Sequence, residues 1–513
     1  MLTLTQLIDA QAEHRRDQTF LTFEGTATSF GELQRRVRMA AGAFQRAGFA
    51  EGQRVMIMMG NRPQHVFAYM GLVAVGCVVV EVSIHFKRNG IELQLEDCDP
   101  HHVIADPAHI DDILAALQAV GRMDLVTTLV PDEHPRTRHL AVDQCPPAAA
   151  LPAPSLERWQ AISYTSGTTG RPKGVVLTER FFQVGAKNAA LLSDVRPSDT
   201  LFLWEPFYHV AAWMSFIVAL QHGVSVALVE RFSASQCWNQ IRKTRSTLFH
   251  YLGGAMNILL KLPPSPADAE NPVRIAWGAA APARSWREFE ARFGVAIREG
   301  YGISEAQNFT HLNLEGQLGS IGKPVEEFDC WIADDHGQKV PPGVVGEIVV
   351  RPKVPNVTMV GYFRDPTRTS EVLRDGCVYT GDLGYVDEDG YYYYSGRKKD
   401  SLRRRGENVS AWEVERVINA HPAVEESAVV GVTSEMGEQE IRVFVQLAPR
   451  QNLEPLELIK WCERDLAYYQ IPRFVDFVVE FPRGPTQRIR KSDLPVTLAA
   501  SWDLEKSGYK VRR

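Results

Sequence analysis

The switching of hydrophobic period along the first hundred residues restricts the fold more than any other feature. SFGELQRRVRMAAGAFQRAG, residues 29–48, repeats apolar side chains at helical spacing, and RVMIMM, 54–59, follows as a short apolar run of strand length. The switch recurs in MGLVAVGCVVVEVSI, 70–84, a Gly-interrupted stretch that reads as a buried helix leading into a strand and is too short to span a bilayer. Helices alternating with short apolar strands predict an α/β protein with covered sheets. From about residue 325 the texture turns to β, with DCWIADD, GEIVVRP and GYYYYSG separated by Gly, Pro and Asp-Gly turns. After GRKKD, 396–400, a compact α+β unit of about 115 residues follows, with a helix at AWEVERVINAH and strands at SAVVGVT and IRVFVQL. The expected boundary lies near residue 399, dividing the chain into 1–398 and 399–513.

Composition excludes several classes. With 513 residues the chain is long enough for several cores. Its 62 acids against 56 bases give a formal net charge of −6, so no basic excess is available to neutralise nucleic-acid phosphates. The N-terminus, MLTLTQLIDAQAEHRRDQTF, mixes acids and bases and has no apolar segment of a signal peptide. Seven cysteines without a CxxC pair read as reduced thiols, and a cytoplasmic location is the expectation.

The chemistry begins at YTSGTTGRPKGVVLT, 164–178. Small hydroxylic residues, glycines and one lysine make a loop whose N–H groups and hydroxyls suit a polyphosphate. It is not a Walker A loop, because Gly167 is followed five residues later by Pro172. Ser166, Thr168, Thr169 and Lys173 between apolar strands set it apart from an ordinary surface loop.

Four ordered motifs then resemble the adenylate-forming superfamily of acyl-CoA synthetases, luciferases and peptide-synthetase adenylation domains. YTSGTTGRPKG resembles its phosphate loop, WGAAAP (277–282) the segment flanking adenine and the acyl pocket, EGYGISEA (299–306) its aromatic-Gly-x-hydroxyl-Glu motif, and YTGDLGYVDEDGYYYYSGRKKD (379–400) its ribose motif and hinge. Within the family the chain is most similar to the carnitine/crotonobetaine and medium-chain acyl-CoA ligases. The resemblance implies a large N-terminal domain of packed α/β sheets plus a distorted β-barrel, and a small mobile α+β C-terminal domain. It also implies ATP or acyl-AMP, coenzyme A and Mg²⁺ as cofactors.

On that resemblance Thr165, Ser166, Gly167, Thr168, Thr169, Gly170 and Lys173 surround the phosphates, and Gly278, Ala279, Ala280 and Gly302 flank the nucleotide. Glu305 holds Mg²⁺, Ser304 offers its hydroxyl to the α-phosphate and Tyr301 stacks on adenine. Asp382 accepts from the ribose hydroxyls with help from Arg397. Lys399 is the hinge, Gly406 lines the pantetheine tunnel and His209 in PFYHV gates the acyl and CoA channels. Arg403, Arg404 and Arg405 meet the phosphates of CoA or form a solvated face.

The C-terminal signature is where the chain departs from the pattern. The family resembles P-x-T-x-x-G-K-[IV]-x-[KR], whose lysine bridges the acyl carboxylate and the α-phosphate during adenylation; PTQRIRK places Gln487 on the glycine and Arg488 on the lysine. Arginine is longer, planar and forked, so the exchange is not conservative at a converging site. Losing one transition-state donor costs roughly 3–4 kcal/mol. Lys491, three residues on, is expected to point elsewhere. The resemblance therefore predicts an acyl-CoA ligase impaired in making the adenylate yet competent to pass acyl-AMP to CoA, with a separate adenylating enzyme as partner.

A complete ATP-dependent ligase is the alternative, and a luciferase-like oxygenase or an adenylate-binding pseudoenzyme stands further off. A peptide-synthetase module is not expected, because the sequence stops at Arg513 without a carrier domain. The acyl pocket is expected from HVAAWMS (209–215), YLGGAMN (251–257), WGAAAP and the segment after Glu305. Gly253, Gly254 and the alanines at 279–281 either leave volume for a bulky acid or allow tight backbone packing.

Overall fold

The computed structural model describes residues 1–165, 173–281, 283–398, 401–404, 407–433, 439–483 and 489–511. The chain divides into two compact units, Met1–Cys330 with Val350–Tyr379 and Trp331–Val349 with Thr380–Arg513. It passes between them within three strands, Phe328–Ala333, Gly346–Pro352 and Cys377–Val386. The architecture is mixed α/β with a large N-terminal part and a smaller C-terminal one, as the sequence implies. Lys399, the expected boundary, lies outside the described residues.

Local signals place the first elements. The amphipathic stretch at 29–48 forms helix Phe30–Arg46, capped by the Ser29 side chain accepting from the Glu32 N–H, with Leu33, Val37, Ala40 and Phe44 buried on one face. Helix Pro63–Val75 begins with proline in its first turn and ends at Gly76, whose φ of 87° breaks it before strand Val78–Glu81. That strand lies parallel to Arg54–Met58 and Trp159–Thr165 in an eight-stranded sheet. Trp159–Thr165 turns back on Lys173–Thr178 as an antiparallel pair, Thr165 opposite Lys173 at the open end. The loop between them, 166–172, lies outside the described residues.

A nine-stranded sheet forms the second layer. Its centre is a parallel set, in spatial order Ala296–Ile303, Ile275–Ala279, Leu248–Leu252, Thr200–Leu203 and Ser225–Leu228. Parallel strands covered on both faces read as continuous apolar runs, as here. Their carboxyl ends release WEPFYH, GGAMN, Ala280 with Ala281, and SEA next to one another, the edge at which open α/β sheets place ligands.

In the second unit, Val424–Thr433, Gln439–Leu447, Phe474–Val478 and Trp502–Asp503 form a four-stranded sheet. Val414 and Ile418 of helix Ala411–Asn419 and Leu458 and Ile459 of helix Pro455–Cys462 share its core with Val429, Ile441 and Val443. Among the described residues no helix is long and apolar enough to cross a membrane. All seven cysteines are free.

Candidate active site

Within the first unit, Lys173 and Glu305 come together on a residue that the sequence motifs did not single out. Tyr362 lies in the two-residue strand Gly361–Tyr362, paired antiparallel with the strand that leaves the phosphate loop, so that Tyr362 sits opposite Val175. Its hydroxyl donates to Glu305 Oε1 at 2.8 Å, and Lys173 Nζ stands 4.9 Å from the ring centroid. Burial, and next the charge of Glu305, push the phenol well above its ordinary range, so it remains a donor. Glu305 Oε2 has no hydrogen-bond partner among the described residues. A single carboxylate with one oxygen in reserve fits Mg²⁺, which is commonly held by one or two carboxylates and the substrate's phosphates. The sequence signal for Tyr362 was only the aromatic pair in VGYF, which carries no chemistry by itself.

The turn that carries Glu305 is built by close backbone approach. A side chain at Gly302 would put its Cβ 2.0 Å from the carbonyl oxygen of Gln307, so only glycine fits. Tyr301 is buried and meets His311 edge-on at 5.6 Å between centroids. Ser304 is half-buried in the turn between strands Ala296–Ile303 and Gln307–Asn313.

Ala280 and Ala281 are held by Glu299, to which the sequence motif EGYGISEA assigned no role of its own. Its carboxyl accepts from the N–H of Ala280 at 2.6 Å, from the N–H of Ala281 at 3.1 Å and from the Tyr251 hydroxyl at 2.5 Å. These bonds hold Ala280 at a φ of +65°, where a non-glycine residue is uncommon. Burial lifts the Glu299 carboxyl to about 8, against the pull of its three donors. The small residues divide by role. Added side chains at Gly278 and Gly253 would meet the carbonyl oxygens of Tyr251 and Ala280, each 1.9 Å away, so tight packing accounts for both. Ala279 is half-buried, Ala280 is exposed, and Gly254 faces open space.

His209 is the N-cap residue of helix Val210–His222, with its ring 4.7 Å from that of Tyr208. The backbone before it is held by Asn61, whose carboxamide donates to the carbonyl of Glu205 at 2.8 Å and accepts from the N–H of Phe207 at 3.1 Å. Those bonds flank Pro206, which has no N–H of its own. Asn61 is therefore a positioning residue for the segment bearing His209.

In the second unit, Asp382 and Arg397 are paired across the hairpin of Cys377–Val386 and Tyr392–Arg397, with Arg397 Nε donating to Asp382 Oδ1 at 3.1 Å. Asp382 is buried, while Arg397 keeps a third of its side chain exposed. Arg404 is neither on a solvated face nor turned outward. It is 3% exposed, pairs with Glu440 at 2.6 Å and donates to the carbonyls of Tyr469 and Ile471. That is the setting of a buried structural ion pair. Arg403 lies in strand Ser401–Arg404, opposite Asn408. Lys491 bonds Glu415 at 2.7 Å. Ser166, Gly167, Thr168, Thr169, Gly170, Lys399, Arg405, Gly406, Gln487 and Arg488 lie outside the described residues.

Comparison with known proteins identifies the family and fold of the chain. The AMP-binding enzyme family matches residues 8–363, and the AMP-binding enzyme C-terminal domain matches residues 413–488. The chain is 32% identical over 500 residues to a sulfoacetate–CoA ligase of Cupriavidus necator, covering 96% of this chain and 97% of that protein. It is 28% identical to a crotonobetaine/carnitine–CoA ligase of Escherichia coli, covering 91% and 92%. Among solved structures, a benzoate CoA ligase from Burkholderia xenovorans superposes with a TM-score of 0.85 at 25% identity, covering 96% and 99%. ATP-bound MatB from Rhodopseudomonas palustris gives 0.85 at 26%, covering 96% and 98%. With matching sequence motifs, fold and full-length coverage, the chain belongs to the adenylate-forming superfamily of AMP-binding enzymes.

Proposed function

We propose that this protein is an acyl-CoA ligase working through an acyl-adenylate, and that it favours the second half-reaction, transfer of the acyl group from acyl-AMP to CoA. The observation that carries the proposal is the pairing of Lys491 with Glu415 at 2.7 Å, in a chain that has Arg488 where the family has its adenylating lysine. The nearby base is already committed, so it supplies no substitute charge.

In the first half-reaction an acyl carboxylate oxygen attacks the α-phosphorus and pyrophosphate leaves. Lys173 and the loop of Thr165–Gly170 would carry the phosphates, Ser304 the α-phosphate, and Asp382 with Arg397 the ribose. Glu305 would hold Mg²⁺, which offsets phosphate charge when bound. The lysine expected on the C-terminal loop would join the carboxylate and phosphate as their charges converge, and Arg488 is the wrong shape for that task. In the second half-reaction the thiol sulfur bonds to the acyl carbon and AMP leaves. Here the 399–513 domain would have turned about Lys399, with Gly406 leaving room for pantetheine, His209 gating the channels, and Arg403 and Arg405 near the CoA phosphates. Acyl-AMP from a separate adenylating enzyme would then be the substrate.

The Lys173–Tyr362–Glu305 arrangement favours a second reading, a complete ATP-dependent ligase, since those groups serve adenylation. A panel of acids offered as free acid with ATP, Mg²⁺ and CoA, and again as preformed acyl-AMP with CoA, separates the two by mass spectrometry of the thioester. Thioester only from acyl-AMP, with Arg488→Lys regaining use of the free acid, supports the proposal. Equal turnover of both forms by the unmodified protein overturns it in favour of the complete ligase.

A further inference from the structure

Beneath the segments expected to line the acyl pocket lies a buried polar pair that the proposed reaction does not use. Glu205 follows strand Thr200–Leu203, and His250 lies in the adjacent parallel strand Leu248–Leu252. His250 Nδ1 bonds Glu205 Oε1, with the two residues 3% and 1% exposed. The other oxygen of Glu205 accepts weakly from the Trp204 N–H at 3.4 Å. A buried carboxylate facing one ring nitrogen is satisfied by a proton on that nitrogen, which fixes how the imidazole is turned. His250 Nε2 is left with no hydrogen-bond partner among the described residues. Nε2 is not among the fully enclosed unpaired atoms, so the exposed remnant of this otherwise buried residue leaves it open to a hydrogen-bonding partner from outside the fold.

The surroundings say where that partner would come from. Phe249 and Tyr251 point into a core cluster with Trp238, Met256 and Trp286, so alternation along the strand sends His250 and Leu252 to the opposite face. Trp277 is paired with His250 on the next strand, its ring 4.4 Å away, and forms a wall on that same face. Moving toward the carboxyl ends, burial falls from His250 and Trp277 to a half-buried Ala279 and to Leu252, which is 42% exposed. Those strand ends release the segment before His209, the start of helix Gly253–Leu260 and the alanines that Glu299 holds. The orphaned nitrogen therefore lies at the inner end of a face that opens where the acyl chain is expected.

We infer that the Glu205–His250 pair is a specificity subsite at the floor of the acyl pocket, and that it selects an acid whose far end carries an oxygen function rather than a plain hydrocarbon. With the ring neutral and Nδ1 protonated, Nε2 accepts from a hydroxyl. With the ring protonated, the Glu205 carboxylate balances the charge and Nε2 donates to a carbonyl, carboxylate or sulfonate oxygen. A hydrocarbon end would leave Nε2 unpaired in both states, which is how a hydrogen-bonding pocket rejects an isostere.

This inference rests on the acyl-adenylate reading, and binding tests it without turnover. Non-hydrolysable acyl-sulfamoyl adenosines of one chain length, ending in methyl, hydroxyl, carboxylate or sulfonate, are titrated by calorimetry beside AMP alone. At least one oxygen-bearing ligand is expected to bind about tenfold or more tightly than the methyl ligand. The hydroxyl and anionic arms show which form of the ring is used. His250→Leu should abolish or reverse the preference, and His250→Gln, which keeps a polar end, should retain part of it. Both variants are checked for unchanged AMP affinity, so a folding defect is recognised. Binding of every ligand with no preference for oxygen, or a preference that survives His250→Leu, overturns the subsite and leaves the ligase reading intact. Failure of AMP and all the adenylates to bind removes the adenylate reading and the subsite with it.

Discussion

Tyr362 donates its hydroxyl to Glu305 at 2.8 Å while its ring carries Lys173 at 4.9 Å. One side chain thus sets both the expected metal-binding carboxylate and the phosphate-loop cation. Tyr362→Phe keeps the ring for Lys173 and removes only the bond to Glu305. A hydrogen bond to a charged group is worth about 1.5–3 kcal/mol, or roughly ten- to hundredfold in rate. In an Arg488→Lys background, pyrophosphate exchange should fall by that factor while thioester formation from acyl-AMP changes little. An equal loss in both half-reactions would mean that Tyr362 only supports the fold.

Lys491 gives the opposite expectation. Its ion pair with Glu415 is partly exposed, so Lys491→Met should cost about 1 kcal/mol of stability or less. Neither half-reaction should change beyond that loss. A selective drop in pyrophosphate exchange would place Lys491 in the adenylating machinery, where it would compensate for Arg488.

Arg404 tests the reading of the arginine run. It is 3% exposed, bound to Glu440 and to two backbone carbonyls. Removing one partner of a buried pair leaves the other charge uncompensated, at roughly 3–5 kcal/mol. Arg404→Met should therefore lower the thermal midpoint clearly in calorimetry without a selective rise in KM for CoA. Such a rise with unchanged stability would return Arg404 to the CoA phosphates.

Helix and strand positions were legible because their causes are local. Ser29 at a cap, Gly76 at a helix end and alternating apolar runs act within a few residues of themselves. The motif residues were legible as a family pattern. Tyr362, Glu299, Asn61 and the Glu205–His250 pair were not, since they act on partners 18 to 189 residues away. Glu299, read as part of EGYGISEA, gave no sign that it bonds Ala280 and Ala281. The arginine run misled for the same reason, because nothing near RRRG announces Glu440. Gly253 left volume for substrate and tight packing both open, and the approach of the Ala280 carbonyl decides for packing.

Glu299 also gives the protein a pH dependence whose sign follows from its burial. Its carboxyl is lifted from 4.5 to about 8 in the fold, with desolvation as the main cause. Below about pH 4.5 both folded and unfolded chains hold the proton, and Glu299 contributes no slope. Between that point and pH 8 the unfolded chain has released a proton that the folded chain retains, so stability falls as pH rises. Glu299→Gln keeps a carbonyl for the Ala280 N–H and cannot titrate. The thermal midpoint of the unmodified protein minus that of Glu299→Gln should therefore shrink from pH 5 to pH 8. Glu179, lifted to about 7 by burial, is present in both proteins and cancels in the difference. A difference that stays constant across this window would mean Glu299 is ionised throughout, with its three donors outweighing desolvation.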